Sequence, residues 1–307
     1  MLFVVLIISF VLLILLYVLY LKYGVEYRVK VPKKEITHPP SNLPPSIVGM
    51  LMSFGSFQDD FLTATIVDLI NRGYISVEKI LDGNRVDFIL SLYKKIDNLK
   101  EFEKILLNKI LFKNKNSVSV SFLRKATLDS VEEYQKYFEE FQKALEKEVD
   151  KFNFFDKRSG KISILITVSG LFIAIVGGIL GALLNEYFWI LLIPGFIYFI
   201  GGIGSISKRT REGKREFLKW RGFKDYLLTK GFNKIENEYI KNALIYSLPL
   251  GIYSYVLDRL KEVNSKKLNE DELLKSMEDL VLVLNSLGTT LSSLEKRIKS
   301  GTTEFVE

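Results

Sequence analysis

Apolar residues run without a single Asp, Glu, Lys, Arg or His over three stretches, Leu2 to Leu21, Ile162 to Leu184 and Tyr187 to Ile206. At 1.5 Å rise per residue each is about 30 Å long, the thickness of a bilayer's hydrocarbon core. The pattern predicts three transmembrane helices. Only Asn185 and Glu186 separate the second from the third, so these two form a tight hairpin whose helices pack on each other. Gly170, Ala174, Gly178 and Ala182 recur every four residues, a small-residue stripe suited to close helix approach, in the hairpin or between copies.

Between the first and second spans the pattern changes to short amphipathic segments. Thr37 to Pro45 (THPPSNLPP) reads as an extended proline-rich linker. A short helix follows near Ser46, with Pro45 in its first turn and Ile47, Val48, Leu51 and Met52 as its apolar positions. Asp59 and Asp60 open a second helix carrying Leu62, Ile66, Leu69 and Ile70, with Gly73 at the C′ position. Tyr74 to Ile80 and Arg85 to Leu92 are strand-like, and Asp82-Gly83-Asn84 between them is a tight-turn signal.

Helix, helix, hairpin is the order of a winged-helix domain. Leu99, Phe102, Ile105, Leu106 and Ile110 then mark a further amphipathic helix. Ser117 to Phe122 alternates like a short strand that pairs with the wing or opens a second such unit. Val131, Tyr134, Phe138, Phe141, Leu145, Val149 and Phe152 form a helical stripe ending before the second span.

After the third span, Phe217, Trp220, Phe223 and Leu227 share one helical face among cations. This is the composition of an interfacial helix, or of one packed on the soluble domain. Ile240 to Leu260 is apolar but broken near Pro249 and Gly251, which suits core or a membrane-surface element more than a fourth span. From Leu273 the residues Met277, Leu280, Leu284, Leu287, Leu291, Leu294 and Ile298 keep an a/d spacing, which predicts a coiled coil.

The fold class expected is a mainly α integral membrane protein with three transmembrane helices, a winged-helix-like α+β cytoplasmic module and a C-terminal coiled-coil-like helix. The division expected is an anchor at 1–22, a linker at 23–45 and the winged-helix-like domain at 46–161. The transmembrane hairpin follows at 162–206, a basic juxtamembrane helical region at 207–268, the coiled-coil-like helix at 269–299 and a tail at 300–307.

Charge adds an orientation. The net charge is +7, and residues 208 to 224 hold eight cations against Glu212 and Glu216. Lys208, Arg209, Arg211, Lys214, Arg215, Trp220 and Arg221 are the candidate membrane-surface residues in this cluster. Basic residues also follow the first span and precede the second, while Met1 and the Asn185-Glu186 turn carry no cationic side chain. By the positive-inside rule the N-terminus lies outside and both soluble segments are cytoplasmic. The first span has no basic n-region and no A-x-A site after Lys22, so it reads as an uncleaved anchor.

Candidate chemistry is sparse. There is no cysteine and one histidine, His38, beside Pro39 and Pro40. No sequence constellation for catalysis, cofactor binding or metal ligation stands out, and no charge lies inside a span to serve an ion pathway. The helix preceding the wing carries Asp59, Asp60 and Asp68 against Arg72, which repels phosphate, although Lys79 and Arg85 are placed to touch a nucleic-acid backbone. The partners expected are the lipid bilayer and a protein, or a second copy, at the C-terminal helix. No small-molecule substrate is evident. The function expected is a non-enzymatic, membrane-tethered interaction or scaffold protein. A membrane-tethered transcription regulator and an accessory subunit of a transporter or membrane enzyme are the alternatives.

Several ordered blocks carry a family resemblance: PPSNLPPSIVGMLM, FLTATIVDLINRGYISVE, the two-span hairpin, and RTREGKREFLKWRGFKDYL with Arg209, Thr210, Gly213, Trp220, Phe223, Tyr226 and Leu227. Tyr246 to Gly251 forms a later block. Together, over roughly Thr37 to Leu260, they resemble the C-terminal half of the YciQ-like predicted membrane proteins, a domain of unknown function. The resemblance implies a β-rich domain ahead of the first span and a glycine-rich tail, where this sequence has a span from residue 2 and a helical pattern. It implies no catalytic residues.

Overall fold

The computed structural model describes residues 1–30, 36–58, 60–82, 85–113, 115–204, 208–229 and 237–259. In chain order the helices are α1 (Leu2–Leu19), α2 (Pro45–Met52), α3 (Asp60–Asn71), α4 (Glu101–Ile105), α5 (Val120–Asp129), α6 (Val131–Lys151), α7 (Lys157–Leu183), α8 (Leu192–Gly204), α9 (Arg211–Thr229) and α10 (Asn237–Ser247). The strands are β1 (Ile75–Asp82), β2 (Arg85–Leu92) and β3 (Ser117–Ser119). They group into two units, each drawn from separate parts of the sequence. One comprises Met1–Lys30 and Asn153–Arg215, the other Val31–Phe152 and the chain from Glu216 onward.

The first unit holds three helical segments long and apolar enough to cross a membrane, Leu2–Gly24, Lys157–Leu183 and Glu186–Ile203. α1 continues as a π-helical turn, Tyr20–Gly24, closed by the Val25 N–H on the Tyr20 carbonyl at 3.1 Å. Asp156 caps α7, its Oδ1 accepting from the N–H groups of Arg158 (2.9 Å) and Ser159 (3.3 Å).

The third segment is not one α-helix. It begins as a 3₁₀ stretch, Glu186–Leu191, capped by Asn185, and α8 starts two residues before Pro194. Proline has no N–H to donate, so it fits the first turn of α8, where the amide donors have no intrahelical partner in any case.

The hairpin seam runs through Gly170, Ala174, Gly177 and Gly181. A Cβ on Gly170 would collide with the backbone of Phe199 and Gly195. Gly195 meets the Ala174 backbone, Gly177 meets Leu191, and Gly181 meets the Trp189 ring. Of the four-residue stripe, Gly170 and Ala174 lie in this contact, whereas Gly178 has only Trp189 near it, at 3.9 Å, and Ala182 is exposed. Four residues turn a helix through about 400°, so a strict i+4 row drifts off the contact line, and alternating steps of four and three follow it.

On the α8 side, Gly202 lies against Thr167 and the Ser163 carbonyl, and the Ser163 hydroxyl donates to the Gly202 carbonyl. α1 joins the hairpin through Leu16, packed with Ile166 and Tyr198, and through the Tyr198 hydroxyl, which donates to the Leu12 carbonyl at 2.6 Å.

In the second unit α2 and α3 touch closely at Gly49, where any Cβ would enter the Phe61 ring. α3 ends in a Schellman turn: Gly73 at φ +74° donates to Ile70 O and Tyr74 donates to Leu69 O, both at 2.9 Å. The antiparallel sheet has the order β1-β2-β3, with Ile75 opposite Leu92, Asp82 opposite Arg85 and Val118 opposite Leu90. The alternating segment after Asn116 thus pairs with the hairpin. It is only three residues long because the Ser119 hydroxyl accepts from the Phe122 N–H and starts α5.

α4 runs on as a π-helical turn, Leu106–Leu111, and with α6 contributes Phe102, Leu106, Leu107, Ile110, Phe141 and Leu145 to the core. The apolar segment after α9 is core too. Ala243, Leu244, Ile245 and Val256 are buried, so among the described residues this stretch faces protein. The heptad positions Met277, Leu280, Leu284, Leu287, Leu291 and Leu294 lie outside the described residues.

The glycine seam makes a paired prediction. Gly170→Ala should cost about 1–3 kcal/mol by overpacking against backbone, whereas Gly178→Ala should stay within about 0.5 kcal/mol of wild type. Thermal unfolding of the purified protein in detergent reads both, and equal losses would contradict the assigned seam.

Candidate functional site

Two charged clusters and one aromatic clamp tie together residues distant in the sequence. The first cluster lies in the membrane-helix unit, where the ends of α1, α7 and α8 meet. Residues 153–156 and 208–210 form a miniature antiparallel ladder: Phe155 bridges Arg209, Asp156 N–H donates to Lys208 O at 3.0 Å, and Thr210 N–H donates to Phe154 O at 2.9 Å. Thr210 also caps α9, its hydroxyl accepting from the Gly213 N–H at 3.0 Å and donating to the Asn153 carbonyl at 2.8 Å. Gly213 is required there because a Cβ would strike the Phe154 carbonyl.

This ladder turns Arg209 inward, to 2% exposure. Its Nη1 lies 2.9 Å from Glu26 Oε1, and Lys214 pairs with the other Glu26 oxygen. Burial alone would raise the Glu26 carboxyl, but hydrogen bonds from Lys214 and Arg209 outweigh it and hold the group below its ordinary range. Lys208 is buried beside them. Its Nζ donates to the Lys22 carbonyl at 3.1 Å, lies 3.9 Å from Asp156 and sits 4.7 Å from the Tyr27 ring centroid.

The expected membrane-surface set therefore divides. Lys208, Arg209 and Lys214 are engaged by Asp156 and Glu26, while Arg211, Arg215 and Arg221 are exposed. Sequence reading missed Glu26. An isolated acid among cations was the available signal, but its partners lie more than 180 residues away.

The clamp belongs to the second unit. Trp220 is fully buried, 4.6 Å from the Tyr246 ring and edge-on to Phe223, and its Nε1 donates to Ser41 Oγ at 3.2 Å. Its indole is thus inside protein instead of at headgroup depth, because the apolar ring and its N–H both find partners there. Ser41 donates onward to Glu216, and the Tyr246 hydroxyl donates to the Leu43 carbonyl at 2.7 Å. The proline-rich segment is in this way strapped to α9 and α10 from Ser41 to Leu43.

The second charged cluster lies on the same unit. Arg72 Nε is 2.9 Å from Asp68, and its Nη2 pairs with Glu103, which also accepts from the Lys100 N–H at 2.8 Å at the start of α4. Burial pushes the Asp68 carboxyl up to about 6. Nearby Glu103 adds to the rise, and Arg72 offsets only part of it. The Tyr246 hydroxyl feels the same cluster, raised chiefly by its own burial and further by Asp68.

These are two acids clamped by one guanidinium, a structural tie between α3 and α4. Among the described residues no group of three or more His, Cys, Asp or Glu is arranged to hold a metal ion.

Removing Arg209 should leave Glu26 in a site built for two cations. Arg209→Ala is expected to cost about 3–5 kcal/mol, and the Glu26→Gln/Arg209→Met pair should unfold closer to wild type than either single change. Additive losses in thermal unfolding would rule out the coupling.

For Asp68 the folded value lies above the unfolded one, so its favourable contribution is complete below about pH 4 and is lost as pH rises through about 6. Asp68→Asn should therefore gain on wild type by about 3 kcal/mol between pH 4 and pH 8. A pH-independent difference between their unfolding midpoints would refute this.

Comparison with curated proteins and with solved structures finds no match. A family match does exist, and it begins at the strapped segment, passes through the core of the second unit and the hairpin, and ends within α10. It covers residues 35–241, about two thirds of the sequence, and the chain belongs to that family, described as the C-terminal domain of a predicted membrane protein, DUF2207.

Proposed function

We propose that this is a non-enzymatic membrane-tethered scaffold: a winged-helix-like module held at the bilayer by three spans, working through protein contacts. In this reading the N-terminus lies outside and both soluble segments face the cytoplasm. The C-terminal coiled-coil-like helix supplies self-association or a partner site.

The observation that carries the reading is the burial of α3. From Phe61 to Val67, and again at Leu69, every side chain is buried, and Asp68 is tied to Arg72. In a DNA-reading winged helix the helix before the wing offers a polar face to the major groove. α3 has no such face, so the module's fold is used for its own core, which favours protein contacts over nucleic acid.

The topology has separate support. Residues 36–152 and 216–259 belong to one unit, which supports placing both on the same side of a membrane. A two-span hairpin between them, crossing twice, fits that placement. Cations flanking that hairpin favour the cytoplasm as the shared side.

The scaffold reading predicts that chemical crosslinking in native membranes yields oligomers of wild type that disappear in Leu284→Asp/Leu291→Asp. A reporter fused after Glu307 should be cytoplasmic. Unchanged crosslinks would remove self-association through that seam, and an external reporter would overturn the orientation.

A further inference from the structure

One exposed line of side chains on α7 joins charge to apolar surface. Arg158, Lys161, Leu165, Val168, Phe172 and Ile175 are spaced 3-4-3-4-3, which keeps them on a single helix face. The four apolar members are 51% to 67% exposed, and both cations are exposed. At 1.5 Å per residue, Leu165 to Ile175 covers about 15 Å, half of the roughly 30 Å hydrocarbon core and so the depth of one leaflet's acyl chains.

The fold gathers further charge where this line ends. The Lys208 N–H donates to Ser159 Oγ at 3.0 Å and its Nζ to the Lys22 carbonyl at 3.1 Å, so the start of α7 and the end of the first membrane helix lie within one lysine's length. The Tyr27 ring centroid is 4.7 Å from Lys208 Nζ and 5.3 Å from the Arg211 guanidinium, which brings Arg211 to the same locus. Lys22 and Arg211 are exposed.

The acids do not cancel these cations. Asp156 caps α7 and faces Lys208, and Glu26 holds Arg209 and Lys214. Glu186 stands at the far end of the hairpin. Among the described residues of the membrane-helix unit, that leaves Glu212 as the exposed acid beside Lys22, Arg158, Lys161 and Arg211.

We propose that this end of the membrane-helix unit binds an anionic phospholipid. Arg158 and Lys161 hold the headgroup phosphate, Lys22 and Arg211 add attraction at the same end, and an acyl chain lies along the stripe from Leu165 to Ile175. A phospholipid carries charge and chain on one molecule, which matches a face that carries cations and then apolar side chains; a soluble polyanion would use only the first part. A second helix is a poorer occupant, because close helix contacts use small residues and this line is Leu, Val, Phe and Ile. The contact requires the three apolar segments to lie in a bilayer. It requires neither the cytoplasmic orientation nor the C-terminal seam, so a reporter or crosslinking result that overturned those would leave it standing.

Native mass spectrometry of the full chain, released from detergent micelles containing phosphatidylglycerol or phosphatidylcholine of equal chain length, counts the lipids held per copy. Phosphatidylglycerol should be held at concentrations where phosphatidylcholine is not. A basic residue near a headgroup is worth about fivefold, so Arg158→Gln/Lys161→Gln should need roughly 25-fold more phosphatidylglycerol for equal occupancy. Lys22→Gln/Arg211→Gln should weaken retention too, which keeps the test independent of one variant's folding. Lys143→Gln/Lys147→Gln makes the same change in charge at exposed positions of α6 and should bind as wild type.

Equal retention of the two lipids overturns the proposal, as does an undiminished affinity in both pairs at the membrane end. An equal loss in the α6 pair would reduce the effect to net charge and overturn it as well. So would displacement of phosphatidylglycerol by millimolar inorganic phosphate, or retention by dimers alone.

Discussion

A guanidinium buried to 2% exposure must be matched, and the way Arg209 is matched organises the membrane-helix unit. An unpaired cation in that position would cost several kcal/mol, so the exit of α1 has to bring Glu26 to it. The miniature ladder between residues 153–156 and 208–210 aims Arg209 inward. Thr210 and Gly213 then start α9 without a clash at the Phe154 carbonyl. Three chain ends that leave apolar helices are thereby tied by charge and backbone hydrogen bonds at one locus.

The second unit solves a different problem with the same economy of parts. Its core needs apolar surface that residues 36–152 do not supply alone, and Trp220, Phe223, Leu244 and Val256 provide it from beyond the hairpin. Polar ends of the aromatic rings then locate the returning chain, through Ser41 for Trp220 and Leu43 for Tyr246. Close to Tyr246, Arg72 joins α3 to α4, and burial of Asp68 makes that tie sensitive to pH.

Much of this was readable in the residues. The three apolar spans, the cap at Gly73, the two strands of the hairpin and the α6 stripe each follow from local pattern, which neighbours a few residues apart impose. What escaped depends on long-range pairing. A tryptophan flanked by cations has the same local signature whether it meets headgroups or a serine 179 residues away. The stripe of Gly170, Ala174, Gly178 and Ala182 likewise showed that helices pack, but the line of contact depends on how they cross, and it passes through Gly177 and Gly181. The charged cluster was half visible: its cations crowd together in sequence, and their acid lies far upstream.

Because the second unit's core takes segments from both sides of the hairpin, it cannot close until the chain beyond the hairpin has been made. Residues 36–152 emerge from the ribosome first and expose the apolar surface that Trp220 later covers. Synthesis and insertion of about 60 further residues must finish before the partner segment arrives, a wait of several seconds at typical elongation rates. Loop-closure entropy of the intervening chain adds to that delay. A hairpin with only one of its two spans inserted would leave the two halves on opposite sides of the membrane, and the half-formed core would stay exposed to chaperones and proteases.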